Sequence, residues 1–85
     1  MRVIIRQNGL ETPLLQKRLI EAWDNVAGEM IAKYTTEKYI RNQDLCVHIE
    51  SPALRSEVSM MKTELIAKLN NAVGGGQVIR DIRLI

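Results

Sequence analysis

Leu45-Cys46-Val47-His48-Ile49-Glu50 runs directly into Ser51-Pro52-Ala53-Leu54, and this junction decides the fold. Along the first six residues Leu45, Val47 and Ile49 fall on one side and Cys46, His48 and Glu50 on the other. A period of two is the pattern of a half-buried strand. At Ser51-Pro52 the period changes. A serine oxygen can cap a helix by accepting a backbone N–H, and proline suits the first helical position because its missing N–H would have no partner there. Leu54, Val58, Met61, Leu65 and Leu69 then recur at steps of three and four, which predicts one long helix to about Val73. Glu64 and Lys68 sit one turn apart on its wet side, a favourable pair. Gly74-Gly75-Gly76 ends it.

Upstream, Thr35 to Arg41 is rich in Thr, Tyr and Ile and predicts a second strand, joined to the first by a turn at Asn42-Gln43-Asp44. Thr12-Pro13 repeats the cap-then-proline signal. Leu15, Leu19, Ala22, Trp23 and Val26 follow as one helical stripe. Gly28 breaks this helix, and Met30 and Ile31 carry an apolar face on to about Tyr34 in a short second helix. Val3 to Asn8 is read as a short helix ended by Gly9-Leu10, the stub of a longer one, although its β-branched residues would also suit a strand. Gln77 to Ile85 is read as the last strand, with Val78, Ile82 and Leu84 on one face and Ile79, Asp81, Arg83 and Ile85 on the other. The order helix, helix, strand, strand, helix, strand predicts a two-layer α+β domain, a three-stranded sheet with helices on one face. The open face would carry His48, Glu50, Asp81 and Arg83.

Length and charge narrow the function classes. Eighty-five residues make a single domain, 1–85, which buries only about 60–65% of its unfolded surface and leaves no room for a cleft between domains. The chain is 46% hydrophobic and 26% charged, the balance of a soluble globular protein. No apolar run approaches the roughly 20 residues that span a bilayer. The first residues, Met1-Arg2-Val3-Ile4-Ile5-Arg6, are too briefly apolar for a signal peptide, so a cytoplasmic protein with no membrane partner is expected. Twelve basic and ten acidic residues leave +2, too little by itself to identify a nucleic-acid binder. With one cysteine and one histidine, neither an intramolecular disulfide nor a zinc site built from those ligands is expected. No cofactor is implied.

An ordered series of short motifs resembles a known family. It comprises Ile20-Glu21-Ala22-Trp23 with Val26-Ala27-Gly28, then Ile31-Ala32 and Tyr34-Thr35, Leu45-x-Val47, Ser51-Pro52-Ala53-Leu54, Leu65-x-x-Lys68-Leu69-Asn70, and Val78-Ile79-x-Asp81-Ile82-Arg83. Over about residues 10–84 the chain resembles the bacterial DciA-type proteins. The resemblance implies a KH-like α+β domain that loads or operates the replicative DNA helicase at initiation and has DNA-binding ability. Longer members carry a disordered basic C-terminal tail that contributes to these contacts, whereas here the sequence stops at Ile85. KH domains grip four nucleotides with a GxxG loop between helices. The glycine run here precedes a strand, so it is read as a terminator rather than a phosphate cradle.

Trp23 lies on the apolar stripe and is expected to anchor the core rather than stack on a base. Met61 fits the stripe of the long helix, which leaves Met60 partly exposed. Cys46 and His48 share a strand face but lack the further groups that nucleophilic catalysis needs, so no enzyme activity is expected. The candidates for nucleic-acid or partner contact are Lys17, Arg18, Arg55, Lys62 and Arg83, acting on phosphates rather than bases. Arg55 and Lys62, seven residues apart, would share one side of the long helix. The first functional reading is therefore an interaction domain that docks on the replicative helicase, with weak contact to single- or double-stranded DNA. The second is a stand-alone KH-like binder of single strands, for which Trp23, Tyr34 and Tyr39 with no Phe make a poor stacking platform. The third is a weak homodimer paired through the last strand.

Overall fold

Pro13 opens the first element of the computed structural model, which describes residues 13–85. The helix expected over Val3–Asn8 and the cap expected at Thr12 lie outside the described residues. The elements are α1 (Pro13–Ala27), α2 (Glu29–Tyr34), β1 (Thr35–Arg41), β2 (Asp44–Ile49), α3 (Pro52–Met60), α4 (Lys62–Ala72) and β3 (Asp81–Leu84). Leu19 and Trp23 of α1 are fully buried, with Leu15, Ala22 and Val26 packed partly buried beside them. Gly28 stands at φ 99° and ψ 160°, backbone space that only glycine enters readily. It ends α1 and begins α2. Ile31 is buried in α2, but Met30, expected to continue the apolar face, is 61% exposed. The break resets the helical phase, and adjacent residues on a six-residue helix cannot both face the core.

The sheet order is β1-β2-β3, with β1 antiparallel and β3 parallel to β2. The fold is the expected α+β sheet with helices on one face. Leu45, Val47 and Ile49 of the central strand are buried together with Ile82 of β3 against Val58, Leu65 and Leu69 of the helices. The turn is tighter than expected. Asn42 and Gln43 both take positive φ, 54° and 66°, the signature of a two-residue hairpin turn, so Asp44 already belongs to β2 opposite Arg41. Ser51 caps α3 as expected, its Oγ accepting from the Leu54 N–H at 3.3 Å, with Pro52 as the first helical residue.

Two expected elements are corrected. The single long helix is broken at Met61, whose φ of −105° and ψ of 11° leave helical space while its N–H is shared between the Glu57 and Val58 carbonyls. The break has a packing cause: α3 lies against β2 and α4 lies against α1, two partners that one straight rod does not reach. The last strand begins at Asp81 rather than Gln77. Val78 and Ile79 are adjacent and both fully buried, which departs from the alternation expected of an edge strand in a sheet covered on one face. They form a loop held by Asn70, whose Oδ1 accepts from both N–H groups at 3.0 Å and whose Nδ2 donates to the Ile79 carbonyl at 2.9 Å. Gly74 at φ 112° closes α4. Its N–H reaches the Asn71 carbonyl and that of Gly75 reaches Asn70, the paired bonds of a Schellman ending.

Candidate functional site

β1 carries one residue more than its partner at Thr36. Thr35 lies opposite Ile49 and Glu37 opposite His48, so two steps on β1 match one on β2. Such a bulge reverses which side chains face which way. Thr35 therefore shares the helix-covered face with Ile49. Its Oγ1 accepts from Trp23 Nε1–H at 3.1 Å and donates to the Ile31 carbonyl at 2.7 Å. Beyond the bulge Glu37, Tyr39 and Arg41 share the open face with His48, Cys46 and Asp44, their cross-strand partners. Asp81 and Arg83 of β3 extend this face beside Asp44 and Cys46. Glu50, expected on the same face, lies past the end of β2 and is exposed, with its N–H on the Tyr34 carbonyl.

At the hairpin end the open face sinks into a shallow depression of about 480 Å³, lined among others by Tyr39, Arg41, Asp44, Arg80 and Arg83. Asp44 is its electrostatic pivot. Arg80 Nε lies 3.7 Å from Asp44 Oδ1 and Arg83 Nε 3.2 Å from Oδ2. A guanidinium has five N–H donors, so both arginines keep donors for another anion. Arg41 forms no ion pair among the described residues. A second depression, of about 520 Å³, is lined by Gln16, Asn42, Gln43 and Arg80. The two share Asn42 and Arg80 and so adjoin around the hairpin tip. The Tyr39 hydroxyl is held above its ordinary value, first by desolvation and then by Cys46 beside it. The ring is neutral at neutral pH.

Cys46 lies on the open face as expected, yet it is only 4% exposed. Tyr39 and Arg83, its neighbours on either strand, flank it, and its thiol donates weakly to the Asp44 carbonyl at 3.8 Å. His48 turns elsewhere. Its Nδ1 lies 2.7 Å from the Ile85 main-chain oxygen, which can only accept, so Nδ1 carries the proton.

The five expected contact residues do not form one patch. Lys17 and Arg18 are exposed on α1 and carry no ion pair among the described residues. Arg55 donates from Nη1 to the Ile85 main-chain oxygen at 3.0 Å, and Lys62 lies 3.9 Å from Asp81. With the helix broken between them, these two do not share one rod. Lys62 meets the first residue of β3, and Arg55 the residue just past its end. Only Arg83 joins the depression. Trp23 is fully buried. Tyr39, Arg41 and Arg80, which are not among the five expected residues, line the depression with Arg83. The sequence signal was the alternation of Tyr39 and Arg41 ahead of the turn, masked because the bulge changes the face of the strand's first residue. The junction of α3 and α4, Ser59-Met60-Met61-Lys62, has no glycine and presents Met60 at 83% exposure.

Comparison with known proteins gives a consistent family. The family model described as "Dna[CI] antecedent, DciA" matches residues 1–84. A UPF0232 protein of Rhodococcus jostii is 31% identical over 81 residues, which cover 95% of this chain and 43% of that protein. A UPF0232 protein of Mycolicibacterium paratuberculosis is 31% identical over 77 residues, 91% of this chain and 42% of its own length. The chain thus spans less than half the length of these curated relatives. No solved structure matches it. Among the described residues no helix is long and apolar enough to cross a membrane.

Proposed function

The chain belongs to the DciA family, and from that membership we propose that it is a non-enzymatic interaction domain docking on the replicative DNA helicase of its bacterial host, with weak, sequence-independent contact to DNA. The observation that carries this reading is the family match, which runs over residues 1–84. The role places the protein in the cytoplasm, beside the replicating chromosome. The docking surface is the Arg83 end of the open sheet face together with the exposed flank of α3, where Met60 offers a flexible apolar side chain of the kind that adapts to a partner.

The test is biolayer interferometry of the folded protein against its host's replicative helicase, without DNA. The expected result is saturable binding at micromolar affinity or tighter. Arg83→Glu reverses one exposed charge, so it weakens docking without unfolding the domain. Absence of any binding by the folded wild-type chain overturns the reading. Unchanged affinity in the Arg83→Glu variant removes the sheet face from it.

A further inference from the structure

We propose that the hairpin end of the open sheet face is the path of a single-stranded nucleic acid, with Tyr39 stacking on a base and Arg41, Arg80 and Arg83 holding the flanking phosphates. The inference deepens the DNA contact proposed above and rests on that reading. It places the contact on residues other than most of those the sequence suggested, since Arg55 is engaged with Ile85 and Lys62 with Asp81.

Three observations converge. The first is charge. Three arginines and one carboxylate line the depression, and Asp44 is ion-paired with two of them, the nearest approach being Nε at 3.7 Å for Arg80 and 3.2 Å for Arg83. Polyanions are held by such clusters, and guanidinium matches phosphate geometry. The second is shape. The two adjoining depressions continue from Arg83 past Arg80 and Asn42 to Gln16, a shallow bent track rather than an enclosed pocket. A track of this kind suits a flexible backbone, which can turn at the hairpin tip as a duplex cannot. The third is the ring. Tyr39 is 37% exposed, is uncharged at neutral pH and stands on β1 two residues from Arg41. An aromatic face between phosphate-binding arginines is the arrangement by which single strands are held without sequence preference. Bases inside a duplex are already stacked and cannot use it. An acidic protein segment would use the arginines but gain little from the ring.

The experiment is fluorescence anisotropy of the full chain with a labelled oligo(dT) of about a dozen nucleotides, over a series of salt concentrations. Arg41→Ala is the first variant, because Arg41 has no ion pair among the described residues whose loss could disturb the fold. The wild type is expected to bind with a steep salt dependence. Arg41→Ala is expected to weaken binding severalfold and to reduce the slope of log affinity against log salt by about 0.7, the loss of one phosphate contact on a single strand. Tyr39→Ala is expected to weaken binding at least about fivefold with little change in slope, while Tyr39→Phe, which keeps the stacking face, binds like the wild type. Unchanged affinity in both Arg41→Ala and Tyr39→Ala, with loss in Lys17→Glu/Arg18→Glu, overturns this path and leaves the DNA reading standing. No binding of oligo(dT) or duplex at low salt by a protein with folded circular dichroism overturns both. Helicase binding lost in Arg41→Ala, with no oligo(dT) binding by the wild type, assigns the face to an acidic protein surface and also overturns the proposal.

Discussion

Asn70 is the residue whose side chain bears most on how the chain is routed. A single amide satisfies two N–H groups and one carbonyl in the stretch between α4 and β3, and so lets two consecutive apolar residues, Val78 and Ile79, both enter the core. A buried donor left without a partner costs about 1–3 kcal/mol. Asn70→Ala should therefore lower unfolding free energy in urea by roughly 2–4 kcal/mol. A loss below about 0.5 kcal/mol, the range of ordinary surface substitutions, would mean the loop is anchored by packing alone. Thr35 plays the same part for Trp23. The indole is fully buried and its one N–H is accepted by Thr35 Oγ1. Thr35→Val keeps the shape and the β-branching but removes the acceptor. It should cost about 1–3 kcal/mol, while Thr35→Ser, which keeps the oxygen, should cost less. Denaturation monitored by the fluorescence of this one tryptophan compares them.

At the scale of elements, breaks matter as much as the elements themselves. Gly28 separates α1 from α2 in backbone space where a Cβ is strained, although nothing stands within 4 Å of where that Cβ would be. The penalty of Gly28→Ala is thus conformational rather than steric, and about 1–3 kcal/mol is expected in urea unfolding. The hairpin turn carries the opposite opportunity. Gln43 is not glycine yet sits at φ 66°. Gln43→Gly relieves that strain and forfeits only a long, exposed bond of 3.4 Å to the Gln77 carbonyl. A net gain of up to about 1 kcal/mol is expected, seen as a higher midpoint of thermal unfolding. The bulge at Thr36 joins the core to the site, since one extra residue lets the same strand give Thr35 to Trp23 and Tyr39 and Arg41 to the open face.

For the whole molecule, the arrangement divides labour between two faces. Helices cover one side of the sheet, and the other keeps a mixed but locally basic surface despite a net charge of only +2. Position, rather than total charge, gives that surface its field. Contact with a polyanion there should weaken as salt rises, whereas the urea midpoint should move little, because the two arginines paired with the half-buried Asp44 are themselves well exposed and such pairs contribute little to stability. The sheet edges bear on self-association. β3 has four residues and β1 carries a bulge, and short or bulged edges are poor templates for a second copy. Light scattering is expected to report a monomer across a wide concentration range, and a dimer that persists on dilution would restore pairing through the last strand.

Period and punctuation made most of the fold legible. The alternation from Leu45 to Ile49, the stripe through Leu19 and Trp23, the cap at Ser51-Pro52 and the terminator at Gly74 are local signals, and local backbone preference with one-sided burial is enough to interpret them. The parallel placement of β3, the break at Met61, the loop at Val78-Ile79 and the bulge at Thr36 are not local. Each answers to a partner distant in the chain: β2 for β3, α1 and β2 for the split helix, Asn70 for the loop, and Trp23 with Ile49 for Thr35. The candidate site follows the same division. Arg83 was within reach of strand alternation. Alternation also puts Tyr39 and Arg41 on one face, but only the hairpin and the parallel return of β3 bring them together with Arg80 around Asp44 and Cys46. Spacing along a chain records which residues can share a face, whereas the long-range packing of hydrophobic surface selects which faces meet.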